Sequence, residues 1–427
     1  MKEYQSIKLG DFTVILNNFP TKSIYFDFAV KVGSRYEEKT NNGLAHFVEH
    51  LYAKNIVNSI KSHPWIKHYI NETFYAYTKE DRTNFEFIIH EKDLKMGVRL
   101  ISKIIQGLKL NKEAIKIEKG IILEELLDYK ENIDFTYYKS VKKKYFKNSS
   151  LGFEILGTEK NIKKFTLREI SEFIKKHYTL DNMILTVSGN FNIKEFKKII
   201  NQELKPLPKP QKKARKRKIN FNNFCYSGNA IYIKNNEKIN KIFFGYYYPF
   251  FNADAAKNVE WEFFIEILNN YLFYKITNKL SIYSVDADVR TYEEFSNFSI
   301  ESSFSHKKIE DFYLLLLAEL KKFKKNFTQK EFNYFQKRKM INLDLEKDEI
   351  KEVTSMISWY AITFGTDKIL TLLDQQKIIK AMDVKKIYYF FDLIFKKDKG
   401  TVVIFGKIPE SKKQKLNKIW NNWKINS

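Results

Sequence analysis

Two histidines and a glutamate in the run Gly43-Leu-Ala-His46-Phe-Val-Glu49-His50-Leu are spaced for metal chemistry. On a helix of about 3.6 residues per turn, positions 46, 49 and 50 share one face, so two imidazoles reach one ion while the carboxylate between them points at the same place. Zinc suits such donors: it takes imidazole nitrogen and carboxylate oxygen at roughly 2.0–2.2 Å and, in hydrolytic sites, keeps a fourth position for water. A carboxylate beside that water, here Glu49, can take its proton. A catalytic site of this kind needs a third protein ligand, and the run Glu118-Lys-Gly-Ile-Ile-Leu-Glu124-Glu125 offers carboxylates on a second helix. Positions 118 and 125 lie nearly two full turns apart and share a face, whereas Glu124 points elsewhere. The remaining histidines, His63, His68, His90, His177 and His306, show no ligand spacing and read as structural.

An HxxEH helix followed by a Glu pair with this spacing resembles the family of pitrilysin, insulin-degrading enzyme and mitochondrial processing peptidase. The resemblance implies that Glu125 is the third ligand, that Glu118 supports the catalytic set, that each chain holds one Zn2+, and that the reaction is hydrolysis of peptide bonds with Glu49 as the base. Other segments share the likeness: Val32-Gly33-Ser34-Arg35-Tyr36-Glu37 is similar to the family's GSRxE segment, and Leu151 to Thr158 to its LGxxIxGT loop. Tyr178 to Met183 with Val187 to Asn190 are similar to its YxxxNMxLxxxGN stretch. Together these cover most of residues 6–204.

Two segments depart from the family pattern. The family's Asn-Ala-Tyr-Thr strand reads Tyr75-Ala76-Tyr77-Thr78 here. An exposed strand edge binds a peptide through backbone groups whatever its side chains, so Phe74, Tyr75, Ala76, Tyr77 and Thr78 form a candidate substrate strand. In the second half, where the resemblance implies an Arg and a Tyr reaching the substrate, the chain reads Thr277-Asn-Lys-Leu-Ser-Ile-Tyr283-Ser-Val. Tyr283 is kept and Thr277 stands in place of the Arg. Neighbouring Lys275 and Lys279 carry charge but no bidentate fork. Some small bacterial family members divide zinc and Arg/Tyr between paralogous chains. The expectation is therefore a metal-bearing subunit partnered by a paralogous chain or by a second copy. Its substrates would be short or unfolded peptides, such as leader segments of bacteriocin precursors or spent signal peptides. The alternatives are a catalytically silent subunit of the same family and, from another class, a nucleic-acid-binding protein using the basic run at 212–218.

Positioning these groups requires several elements. Strand-like alternation marks FTVILNN and SIYFDFAVKVG, and again TFYAYT and TNFEFIIH around the turn KEDR. Helical patterns run over 44–58, 91–108, 112–145 and 167–178. In the second half, strands are expected at AIYIK, KIFFGYYY and FSNFSIESSF, with helices over 255–278, 307–323 and 329–364. The stretch 205–223, with three prolines and a dense basic run, reads as an exposed linker between domains 1–204 and 224–427. Both halves close alike, MILTVSG and TVVIFG each running into a helix, which suggests internal duplication. The expected architecture is α+β: two similar domains, each a mostly antiparallel sheet packed with helices. The family resemblance adds that the two form a clam-like chamber.

Composition narrows the rest. A chain of 427 residues that is 44% hydrophobic has material for more than one core. Its 75 Lys and Arg against 51 Asp and Glu leave a net charge of +24, but the lysines are spread throughout rather than gathered in a patch, which speaks against nucleic acid as the partner. A single cysteine, Cys225, makes no intrachain disulfide. No apolar run is long enough for a membrane span, and the first residues lack the apolar core of a secretory signal, so the expected location is cytoplasmic.

Overall fold

The chain is described from a computed structural model, which covers residues 4–59, 70–147, 149–204, 230–234, 240–251, 254–395 and 400–423. The alternating segments of the first half form β1 (Tyr4–Leu9), β2 (Phe12–Asn18), β3 (Ser23–Val30), β4 (Tyr75–Thr78), β5 (Thr83–His90) and β6 (Met183–Gly189). They make one sheet in the order β1-β2-β6-β3-β5-β4, in which β2 and β6 run parallel and the other pairs antiparallel. Alternation sends Phe26, Phe28, Phe85 and Phe87 to one face, where Phe26 and Phe87 stack at 4.8 Å. Onto that face pack the apolar sides of α1 (Leu44–Ser59) and α2 (Leu94–Ile105). Gly97 of α2 lies so close to Phe26 and Ile89 that a Cβ there would fall 2.6 Å from both side chains.

The other face of the sheet is polar and still buried. Asp27 and Glu86 are cross-strand partners; Asn84 donates to Asp27 at 2.8 Å, and the Tyr25 and Tyr77 hydroxyls donate to Glu86 at 2.6 and 2.8 Å. Burial, with Glu86 alongside, pushes the Asp27 carboxyl up to about 8.

Five strands, β7 (Ile231–Ile233), β8 (Lys241–Phe250), β9 (Val285–Thr291), β10 (Ser296–Ser305) and β11 (Thr401–Phe405), form a second sheet in the order β7-β11-β8-β10-β9. This repeats the order β2-β6-β3-β5-β4, down to the parallel pairing of the first two strands. The two domains are thus similar in topology.

Two long helical stretches are each broken. Residues 112–145 form α3 (Lys112–Glu131) and α4 (Ile133–Tyr145), because Asn132 accepts from the backbone of Asp134 and Phe135 at 2.9 and 3.2 Å and starts a new helix. Residues 329–364 form α10 (Gln329–Glu346) and α11 (Ile350–Thr363), numbered in chain order after α5 (Glu159–Lys164), α6 (Leu167–His177), α7 (Ile193–Glu203), α8 (Ala255–Leu272) and α9 (Ile309–Asn326). The breaks have a consequence for domain organisation. One compact unit comprises the described residues of Met1–Thr136, Asn148–Ile219 and Glu346–Thr371; the other comprises those of Tyr137–Lys147, Asn220–Leu345 and Leu372–Ser427. Each unit therefore takes one helix from the other half of the sequence, an exchange that a division at 204 and 224 does not contain. In the first unit α11 lies on β3 and β6. In the second, Tyr137 and Tyr145 of α4 bond Tyr247 and Asn297 at 2.9 and 2.8 Å. The linker expected at 205–223, including the basic run, and Cys225 lie outside the described residues. No described helix is long and apolar enough to cross a membrane.

Candidate metal centre

Helix α1 presents two faces. Leu44, Phe47, Val48, Leu51, Tyr52 and Ile56 recur at helical spacing and are buried against the sheet. His46, Glu49, His50 and Lys54 occupy the neighbouring face. The start of the helix is fixed by a carboxylate from outside it: Glu37, fully buried, accepts from the backbone N–H of Gly43 at 2.8 Å and Ala45 at 2.6 Å, and from the Asn42 side chain at 2.8 Å. A carboxylate at this end also opposes the positive pole of the helix. The loop at 151–158 closes onto the same point. Gly43 (φ +100°) and Gly157 (φ +79°) pass so near each other that a Cβ on either would fall under 3 Å from the other's backbone. Asn161 then donates to the carbonyls of Lys39 and Asn42 at 3.0 and 3.2 Å. The GSRxE-like and LGxxIxGT-like segments thus share one task, seating the amino end of the histidine helix.

Burial lifts the Glu37 carboxyl from 4.5 to about 7, although its N–H bonds pull the other way. An acid whose pKa is raised by folding gives stability that is present at low pH and lost as pH climbs from about 4.5 to 7. In metal-stripped protein, denaturant unfolding at pH 5 and 7.5 should show this loss, and Glu37→Gln, which does not titrate, should show a smaller one. Equal losses in the two proteins would remove Glu37 from this role.

Across from α1, helix α3 buries Ile115, Glu118, Ile122 and Leu126 and leaves Glu125 at the edge of that stripe. One atom each from His46, His50 and Glu125 lies within 4.8 Å of the others. Glu125 Oε2 stands 3.7 Å from His46 Nε2 and 3.5 Å from His50 Nε2, and it is buried without a hydrogen-bond partner. Glu118 lies behind His50: its Oε2 is 3.4 Å from His50 Nδ1, and its Oε1 receives the Lys54 ammonium at 2.6 Å. With Nδ1 engaged there, His50 Nε2 is the nitrogen turned toward Glu125 and His46. An unpartnered carboxylate oxygen between two imidazole nitrogens is the donor set of a small borderline-soft cation, and the residues fit zinc.

Electrostatics divide the two histidines. Burial, together with the neighbouring His50, lowers His46 to about 4, so it is neutral and able to offer a lone pair. His50 feels the same burial, but the negative carboxylates of Glu118 and Glu125 beside it outweigh it and raise the group to about 9. Glu118 and Glu125 are held below the usual carboxylate range, burial being outweighed by His50 and, for Glu118, also by Lys54. Burial pushes Glu49 up to about 7, opposed by a 2.8 Å hydrogen bond from the Thr78 hydroxyl.

Among the described residues strand β4 ends the sheet order, so one side of it is an edge there. Tyr75 on it is 67% exposed, Phe74, Ala76 and Tyr77 are half-buried, and Thr78 is buried under Glu49. Tyr283 belongs to the second unit, where it is 94% exposed just before β9 rather than packed in a strand. Thr277 is buried. Sequence reasoning missed Glu37 as the cap of α1 and Thr78 as the partner of Glu49. For Glu37 a signal existed in the GSRxE-like segment; for Thr78 there was none beyond its place in the strand.

A histidine pair on one helix and a carboxylate from another, with Glu49 beside them held by Thr78, are thus carried on a duplicated α+β fold. The chain belongs to the M16 peptidase family: residues 13–159 match "Insulinase (Peptidase family M16)" and residues 164–339 match "Peptidase M16 inactive domain". A protein of Rickettsia bellii described as an uncharacterized zinc protease is 25% identical over 410 residues, 92% of this chain and 95% of its own length. The human mitochondrial-processing peptidase subunit beta is 29% identical over 161 residues, which span 38% of this chain and 33% of that one. Among solved structures, the first half of the periplasmic protease PqqL from Escherichia coli has a TM-score of 0.81 at 17% identity, covering 100% of this chain and 98% of that one. A protease from Helicobacter pylori also has 0.81 at 17%, covering 95% and 100%. These last two share the fold. Family and relatives together make the chain a zinc-type metallopeptidase, and the part matched as inactive is the segment without the histidine pair.

Proposed function

We propose that this chain is a zinc endopeptidase acting on short or unfolded peptides, with one zinc per chain held by His46, His50 and Glu125. The observation that carries the reading is the buried, unpartnered Glu125 Oε2 facing both imidazole Nε2 atoms. When bound, zinc lowers the pKa of a water to about 7 and polarises a carbonyl. Glu49, brought near neutrality by burial, takes the water's proton and hands it to the leaving amine. Glu118 fixes the ring of His50 and leaves Nε2 free to coordinate. The edge of β4, with Tyr75 exposed on it, receives the peptide as an added strand through backbone hydrogen bonds.

The chain works with a second, paralogous chain that supplies the Arg and Tyr. Thr277 at the place of the Arg supports this, as does a relative whose name marks it as one subunit of a processing peptidase. Purified protein should carry about one zinc per chain, and its hydrolysis of unfolded peptides should stop with chelator and return with zinc. Protein that binds no zinc, or cleaves equally well in chelator, would rule the reading out. Full activity of the isolated chain as a monomer would rule out the partner while leaving the peptidase in place.

A further inference from the structure

Thr78 stands at the end of β4, and its side chain is buried. Its hydroxyl donates to Glu49 Oε2 at 2.8 Å and lies 3.3 Å from the hydroxyl of Thr83, which in turn donates to the carbonyl of Val32 at 2.8 Å. The two threonines face each other across the β4–β5 register.

The seat of Thr78 is itself clamped. Ser34 and Arg35 donate their backbone N–H groups to the carbonyls of Lys79 and Glu80 at 3.3 and 2.8 Å, and Lys79 N–H bonds the Arg82 carbonyl at 2.8 Å. Gly33 lies against the same turn so closely that a Cβ on it would fall 2.1 Å from the Lys79 oxygen. The hairpin end therefore cannot drift relative to the loop that leads into α1, and the hydroxyl is presented to Glu49 from a fixed point.

We propose that Thr78 is a positioning residue for the general base: its hydroxyl, held by Thr83 and by the clamped hairpin end, fixes where the Glu49 carboxylate stands beside the candidate metal ligands. The inference rests on the role of Glu49 argued above. A single hydrogen bond from a rigid seat holds one carboxylate oxygen and leaves the other to face the reacting water.

The test compares Thr78→Val, which keeps the shape and removes the hydroxyl, with Thr78→Ser, which keeps the hydroxyl. Loss of the donor should lower kcat on an unfolded peptide by about 10- to 100-fold with KM and zinc content unchanged, and serine should restore most of it. Crystal structures supply a readout apart from activity: the Glu49 carboxylate should leave its place in the valine variant and keep it in the serine variant. A valine variant with wild-type kcat, a serine variant as impaired as valine, or an unmoved Glu49 in the valine structure each overturns the proposal. If the unmodified chain binds no zinc, or hydrolyses no peptide even with its partner chain present, the peptidase reading fails, and the two crystal structures still decide whether Thr78 holds Glu49.

Discussion

Glu49→Gln is expected to lower turnover by about 10²- to 10⁴-fold while the protein keeps its zinc. Glutamine has the shape of glutamate and still accepts the Thr78 hydrogen bond through its carbonyl oxygen, so the helix and its neighbours have no reason to move. What it cannot do is take a proton from water and return it to an amine. Glu49 is not among the three groups that converge, His46, His50 and Glu125, so the donor set survives the change. The measurements are kcat on a fluorogenic peptide and zinc content by atomic absorption on the same preparation. A variant that retained more than about a tenth of the wild-type rate would hand the base role to another group, since a factor of ten is only about 1.4 kcal/mol. A variant that lost its zinc would mean that Glu49 coordinates rather than catalyses.

Local spacing explains why this part of the site was legible before any fold was known. His46, Glu49 and His50 are read from one turn of one helix, and Glu118 and Glu125 from two turns of another, so helical periodicity alone gathers each set. Bringing the two sets together was an inference from likeness, and the 3.5 and 3.7 Å separations from Glu125 Oε2 to the two Nε2 atoms agree with it. The positions of several strands were legible because the hairpin 75–90 alternates around a polar turn and the closing strands 183–189 and 401–405 are short apolar runs bounded by glycine. Strand β9 was not read from the sequence, although Asp286, Asp288 and Arg290 alternate with Val285, Ala287 and Val289 as a half-buried edge strand does. The helices α12 (Leu372–Ala381) and α13 (Val384–Ile394) were not read from the sequence either.

The exchange of α4 and α11 was invisible for a more general reason. An amphipathic pattern says that a helix will bury one face; it does not say against which sheet. In 112–145 and 329–364 the periodicity runs through the break, and only Asn132 in the first and the residues 347–349 in the second mark where the chain turns to the other unit. Glu37 and Thr78 were hidden by distance along the chain. Their partners lie 6 to 8 and 29 residues away, and a carboxylate or hydroxyl gives no sign in the sequence of which backbone N–H or carboxylate it will meet.

Glu125→Gln is expected to do what Glu49→Gln does not, removing metal and activity together. The carboxylate is the only group of α3 among the three that converge, and an amide brings a neutral, weaker oxygen and an N–H2 that is no ligand at all. Groups that merely support a ligand typically cost 10- to 100-fold in metal affinity when removed, so the loss of a ligand should exceed about 100-fold. Glu118→Gln provides the internal scale: its carboxylate holds His50 Nδ1 and Lys54 Nζ and faces away from the point of convergence. It should weaken zinc by no more than that supporting range and leave a measurable rate when zinc is in excess. Competition for zinc against a chromogenic chelator ranks the wild type and the two variants directly. If Glu118→Gln lost zinc more completely than Glu125→Gln, the two carboxylates would have to exchange roles. If Glu125→Gln held zinc and cleaved peptides normally, the third ligand would have to come from elsewhere, and the pairing of α1 with α3 would be a matter of packing rather than chemistry.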